Sequence, residues 1–165
     1  MELSGRQKKG IAVFFVLYLA VLVYVLFFSA RFGRTQGSVH GINLVPFREI
    51  KRFYKGPQSL KSGLFWMNIV GNIAAFFPMG LCVALLAPKR PYSVFALAVV
   101  YIACILAEVL QYVCDVGSLD IDDVILNTVG GLLGILVHTP VRRALAETSG
   151  RRGKGKSRKS GRKSR

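Results

Sequence analysis

Long apolar runs constrain the fold of this chain more than any other feature of its sequence. Three of them cover residues 11–29, 64–87 and 93–114. Each is long enough for a helix that crosses a bilayer, which takes about 20 mostly apolar residues. A fourth run, residues 121–138, is weaker because it begins with two aspartates and its apolar core covers only residues 124–137. The pattern predicts an all-α, polytopic membrane four-helix bundle with spans at about these four positions.

The composition favours a membrane protein over a soluble domain. Of the 165 residues, 52% are hydrophobic and 19% are charged, and the mean hydropathy is +0.43. The net charge of +15 would suit a nucleic-acid partner. However, nine of the 23 basic residues lie between residues 151 and 165, in a segment of Gly, Ser, Lys and Arg only. We therefore expect residues 140–165 to be a basic tail, disordered from about residue 148, that can contact anionic lipid of the inner leaflet rather than nucleic acid.

Lysine and arginine near the ends of the spans predict the orientation of the bundle. With four spans, sixteen of the 23 basic residues fall on the side of the two termini, and seven fall in the first loop on the other side. The positive-inside rule therefore places residues 1–10 and the tail in the cytoplasm. Residues 11–139 form the transmembrane domain in this interpretation.

The first outer loop carries more positive charge than a topology signal explains, with seven basic residues and a single acidic one. Its segment PFREIKRFYK starts at Pro46, a residue suited to the first position of a helix. Phe47, Ile50 and Tyr54 then recur at helical spacing, while Arg48 and the other basic residues lie largely on other faces. This predicts an interfacial helix that attracts anionic headgroups. The alternative is a solvated loop with aromatic anchors.

Polar residues inside the spans must face protein, water or a ligand, because each costs free energy in hydrocarbon. Three spans carry such residues three or four positions apart, near their outer ends. The inner halves have almost none. We expect these side chains to form a hydrogen-bonded cluster that opens outward, in which a buried carboxylate is the costliest member. Its predicted members are Asn72, Glu108, Gln111, Asp123 and Asn127.

The same residues can also act only as packing, since amide side chains commonly join membrane helices. Gly130 and Gly134 form a G-x-x-x-G motif that, with Gly80, predicts close helix approach. Pro78 is expected to kink the second span by removing a backbone donor. The cysteines and histidines show no metal-ligand spacing, so we predict neither a metal nor a cofactor.

Four motifs occur in order along the chain: NLVPF at residues 43–47, GNIAAFFPMG at 71–80, EVLQ at 108–111 and DIDDVILNTVGGLLG at 120–134. Together they resemble the VanZ-like family. The resemblance implies a small protein of the bacterial cytoplasmic membrane, from a family named after an accessory determinant of teicoplanin resistance and without an agreed biochemical activity. By position, its recurrent residues correspond to Asn43, Pro46, Phe47, Asn72, Phe76, Pro78, Gly80, Glu108, Gln111, Asp120, Asp123, Asn127 and Gly130. Members often carry an arginine shortly before the aspartate that corresponds to Asp120, whereas residues 116–119 contain none.

Three functions fit these observations. The first is an accessory binding protein whose cluster and basic loop, with Arg48, bind an anionic lipid, a lipid-linked cell-wall precursor or a lipophilic glycopeptide, since phosphates favour such donors. The second is an intramembrane enzyme that uses Glu108 with Asp120 or Asp123 on a lipid. No G-x-S-x-G or H-E-x-x-H motif supports it, so we assign no catalytic residue. The third is a membrane scaffold without a ligand. The sequence leaves the ligand and the oligomeric state open.

Overall fold

The computed structural model describes residues 3–28, 41–48, 50–51, 63–87 and 92–160, the last twelve of these as backbone only. Within these residues, four long helices and two very short strands follow each other along the chain. Their bounds are α1 Gly5–Phe28, β1 Ile42–Asn43, α2 Gly63–Leu86, α3 Tyr92–Val113, β2 Leu119–Asp120 and α4 Ile121–Ser160.

All four helices are long and apolar enough to cross a membrane. The qualifying segments are Gly5–Phe28, Asn68–Leu86, Ser93–Val113 and Ile121–Thr148. This confirms the predicted all-α membrane bundle. Its fourth helix is longer than the sequence suggests: the backbone stays helical through Pro140 and on to Ser160, whereas disorder is expected from about residue 148. Once the span has nucleated a helix, each further residue adds a hydrogen bond without the cost of a new nucleus.

The centre of the bundle is the contact between the parallel helices α2 and α4. A Cβ atom on Gly130 would collide with the Ile73 carbonyl group, and one on Gly134 would collide with that of Phe77. Gly80 likewise lies against the backbone of Gly131. The backbones approach as closely as the small residues allow, which is how membrane helices gain dispersion energy.

Helices α1 and α3 complete the bundle at the flanks of this pair. Gly131 of α4 packs against the side chain of Val100 in α3. On α1, only Leu22 and Leu26 are buried, so most of its apolar surface is free to face lipid. The Tyr18 hydroxyl donates a hydrogen bond of 2.5 Å to the Ala75 carbonyl and ties α1 to α2.

A small parallel ribbon joins two connecting segments at one end of the bundle. Ile42 pairs with Leu119, and Asn43 pairs with Asp120. The ribbon links residues 41–51, here called the strap, to the start of α4. We call this the ribbon end, and the opposite end, where Gln7 of α1 donates to the Leu145 carbonyl at 2.5 Å, the terminal end.

Candidate functional site

The site is built around the first turn of α4, where the acidic motif DIDD meets the strap. Asp120 caps this helix, since its Oδ1 accepts a hydrogen bond from the main-chain N–H of Asp122 at 2.8 Å. The same oxygen accepts a bond from Nδ2 of Asn43 at 3.1 Å. Both side chains of this pair are buried. Asn43 therefore fastens the strap to the helix start.

Asp122 reaches out of its own helix and caps another one. Its carboxylate accepts hydrogen bonds from the main-chain N–H groups of Phe47 and of Ile50, the latter at 3.3 Å. A helical turn begins there, because the Lys51 N–H donates to the Phe47 carbonyl at 3.0 Å. An anionic acceptor at a helix N-terminus satisfies free donors and complements the helix dipole. Only 1% of Asp122 is exposed.

The start of the strap helix differs from the prediction by two residues. The first helical residue is Arg48, and Phe47 takes a left-handed conformation with φ of 63°. Pro46 therefore lies before the helix and not at its first position. Arg48 and Lys51 are exposed on this turn. The rest of the predicted interfacial helix, to Lys55, lies outside the described residues.

Asn72 of α2 and Asp123 of α4 form a direct interhelical bond at the ribbon end. Nδ2 of Asn72 lies 2.7 Å from Oδ1 of Asp123. It also lies 3.2 Å from Oδ1 of Asn68, one turn earlier on α2. A short bond to a carboxylate is among the stronger hydrogen bonds in proteins, so this pair fixes the register of the central helices.

Helix α3 contributes two buried polar side chains. Nε2 of Gln111 donates to the Leu26 carbonyl at 3.0 Å, in the last turn of α1. Glu108 is 2% exposed, and its Oε2 lies 3.5 Å from the main-chain nitrogen of Asp120. Glu108 thus lies beneath the junction between β2 and α4.

Asn127 lies one turn deeper on α4 than Asp123. It is 1% exposed, and its Oδ1 finds no hydrogen-bond partner among the described residues. Because a buried acceptor without a partner is rare and costly, Asn127 differs from the engaged residues around it.

Comparison with known proteins agrees with this architecture. The model of the VanZ/LLP1 family matches residues 15–142. The chain belongs to this family. It is also similar to "Protein VanZ" of Enterococcus faecium, with 26% identity over 125 residues, which cover 74% of this chain and 69% of that protein. No solved structure matches the chain.

The VanZ/LLP1 match confirms the resemblance drawn from the four motifs, and it covers every candidate site residue. Asn43, Glu108 and Asp120 meet in this VanZ/LLP1 chain at the ribbon end. Asn72 and Asp123 pair directly beside them. Pro46, Phe47 and Arg48 lie on the strap, and Asn127 lies below the cluster. Gln111 belongs to the α1–α3 contact. The remaining motif residues, Pro78, Gly80, Gly130 and Gly134, are in the contact region of α2 and α4 or next to it.

Asp122 is the residue of this VanZ/LLP1 chain that sequence reasoning missed. It stands between the predicted site residues Asp120 and Asp123. An acidic residue in the first turn of a helix is usually explained by its favourable interaction with the dipole of that helix. Nothing in its periodicity indicates that it caps a segment 75 residues earlier in the chain.

The geometry also bears on the hypothesis of an intramembrane enzyme that uses Glu108 with Asp120 or Asp123. Asp120 accepts two hydrogen bonds as a helix cap, and Asp123 accepts the bond from Asn72. These contacts give both aspartates a positioning role. The described residues contain no group of three or more His, Cys, Asp or Glu that could hold a metal ion. His138 is buried near the terminal end with Nδ1 2.5 Å from the Ile135 carbonyl oxygen, and His40 lies outside the described residues.

Proposed function

We propose that this VanZ/LLP1 protein is an accessory factor of the bacterial cell envelope that binds an anionic or lipid-linked ligand at the outer leaflet. The observation that carries the proposal is the cap that Asp122 provides to the strap helix. It holds the exposed Arg48 and Lys51 beside the buried polar cluster. A phosphate would find two cationic donors there, and charge-assisted hydrogen bonds to phosphate are strong.

The proposed orientation puts the ribbon end outside and both termini in the cytoplasm. Described basic residues are more numerous at the terminal end, as the positive-inside rule requires of the cytoplasmic side. Arg142 is one of them, and its guanidinium donates to the Ala84 and Leu85 carbonyls at 3.3 and 3.0 Å, in the last turn of α2. In this arrangement the basic tail adjoins anionic lipid of the inner leaflet. The other described basic residues at the terminal end are Arg6, Lys8, Lys9 and Arg143.

The proposed physiological role is reduced susceptibility to teicoplanin-type glycopeptides. The match to the VanZ/LLP1 family and to "Protein VanZ" supports this. A lipophilic glycopeptide and a lipid-linked wall precursor both combine an apolar chain with a polar headgroup at the outer leaflet. A basic strap above a polar cluster suits such molecules.

Susceptibility measurements test the role. A Gram-positive host that produces the chain should tolerate more teicoplanin than the empty host, and the double variant Arg48→Gln, Lys51→Gln should lose this difference. The matched control is Lys8→Gln, Arg143→Gln, which removes two charges at the terminal end. Immunoblots confirm equal protein levels. Equal susceptibility of the two double variants would refute the role of the strap charges.

A membrane scaffold without a ligand is the second candidate, because several polar side chains already have a packing role. Asp120 caps α4, Asp122 caps the strap helix and Gln111 binds the end of α1. A pure scaffold predicts that substitutions on the strap surface change neither drug susceptibility nor lipid binding. Variants of the three capping residues would then act only through stability.

A further inference from the structure

The strap carries a run of apolar side chains that the rest of the fold leaves uncovered. Leu44, Val45 and Phe47 are each at least half exposed, and Pro46 between them is exposed as well. Asn43, just before the run, is buried and bonded to the start of α4. A contiguous exposed apolar surface of this kind marks a contact with lipid or with another protein.

The direction of the chain carries this run toward the interior of the membrane. Strand β1 pairs in parallel with β2, and β2 leads directly into α4, which enters the bilayer at that point. β1 therefore points inward too, and the residues after it descend beside the first turn of α4. There Asp122 holds Phe47 and Ile50. The chain has to return afterwards, because α2 begins at the same end of the bundle.

The exposed Trp66 of α2 marks the level of the headgroups, which tryptophan prefers in membrane helices. It lies six residues before Asn72, or about 9 Å farther out. Because Asn72 is bonded to Asp123, residues near the start of α4 can be compared with this level. Leu119 of the ribbon lies about 9 Å outward of Asp123, level with the headgroups, whereas Asp122 lies only about 1.5 Å outward. The run that Asp122 holds therefore lies beneath the headgroups.

The backbone of the strap is suited to a medium without water. Irregular backbone at membrane depth requires partners for its polar groups within the protein. Asp122 accepts two of the main-chain N–H groups, as described above. That of Val45 donates to Oδ1 of Asn43 at 3.3 Å. Those of Arg48 and Lys51 donate to carbonyl groups of the strap itself. Every described N–H group from Val45 to Lys51 thus has a partner inside the chain.

We propose that residues 44–47 form a re-entrant segment whose apolar side chains lie among the acyl chains of one leaflet. Arg48 and Lys51 follow this run, and their long side chains reach back to the phosphates while the aliphatic stems stay in the apolar layer. Such insertion holds in either orientation of the bundle. On the proposed function, on which this step alone rests, a ligand bound at these two cations enters from the lipid side and carries a hydrocarbon chain.

Tryptophan fluorescence measures the depth of the strap, because Trp66 is the single tryptophan of the chain. The full-length variant Trp66→Phe, Phe47→Trp is reconstituted in phosphatidylcholine vesicles without anionic lipid. Phosphatidylcholine brominated on its acyl chains should quench the strap tryptophan strongly, and acrylamide in the water should quench it weakly. In the same background, Leu17→Trp on the exposed face of α1 is the control for lipid contact. Glu147→Trp, exposed at the terminal end, is the control for water contact and should show the reverse pattern.

Leu44→Trp in the same background provides a second measurement if the substitution at Phe47 disturbs the strap helix. Quenching of a folded strap variant by acrylamide and not by brominated lipid would overturn the insertion. Protection from both quenchers would overturn it as well, since protein and not lipid would then cover the run. The proposed function fails separately, through the drug susceptibility of the double variant Arg48→Gln, Lys51→Gln, which the depth of the strap does not determine.

Discussion

Replacing Asp122 with alanine should detach the strap helix while the bundle stays folded. The substitution removes the acceptor of the main-chain N–H groups of Phe47 and Ile50. Loss of a helix cap costs about 0.5–2 kcal/mol, and loss of a hydrogen bond to a charged group costs about 1.5–3 kcal/mol. One of the two bonds is long, at 3.3 Å. We therefore expect the substitution to weaken the attachment of the strap helix to α4 by about 2 kcal/mol. The ribbon and the bond between Asn43 and Asp120 remain.

Limited proteolysis measures this detachment directly. Trypsin cuts after Arg48 only when the strap helix opens, so in the fast-opening regime the cleavage rate follows the opening equilibrium. A loss of about 2 kcal/mol corresponds to roughly 30-fold faster cleavage. Mass spectrometry of the fragments from detergent-purified protein identifies the bond that is cut.

Two variants control for general destabilisation. Asp122→Asn keeps an acceptor oxygen and should give an intermediate rate, and Glu147→Ala, at the terminal end, should leave cleavage after Arg48 unchanged. If folded Asp122→Ala protein is cut after Arg48 at the wild-type rate, Asp122 does not hold the strap.

Three further predictions concern the bundle, and thermal unfolding in detergent measures each of them. Gly131→Ala should destabilise the bundle by about 1–3 kcal/mol by overpacking, and Val100→Ala should restore much of this, because the colliding atoms belong to the valine side chain; no restoration would contradict the packing. A double-mutant cycle of Asn72→Ala with Asp123→Ala should give a coupling energy of about 1 kcal/mol for their 2.7 Å bond, and additive effects would refute it. Gln111→Leu should cost about 1 kcal/mol by removing the hydrogen bond between α3 and the Leu26 carbonyl of α1; unchanged stability would argue against that bond.

The membrane architecture could be predicted from the sequence because it follows from length and hydropathy. Apolar runs of about 20 residues have few alternatives to transmembrane helices. The depth of Asn72 and Asp123 in their spans predicted that both belong to one polar cluster, but it did not predict which members of the cluster bond to each other. The glycine contacts of α2 and α4 followed similarly from the G-x-x-x-G spacing.

The connections at the ribbon end could not be predicted in the same way. The strands have two residues each, which is too short for any alternation pattern. The role of Asp122 depends on a contact between residues 75 positions apart in the chain, and Phe47, which has a positive φ, is one of the residues in that contact. Local propensity at Pro46 favoured an earlier helix start, and the tertiary contact overrode it.

Cysteine labelling in intact cells tests most directly whether the strap and the start of α4 meet at the outer face, as proposed above. The double variant Ile42→Cys, Leu119→Cys, in a chain whose three native cysteines are replaced by alanine, puts one thiol on each strand at a paired position. A membrane-impermeant maleimide should label it before oxidation, and mild oxidation should then abolish labelling by forming a disulfide. Labelling only after the cells are permeabilised, or labelling that persists after oxidation, would contradict the account.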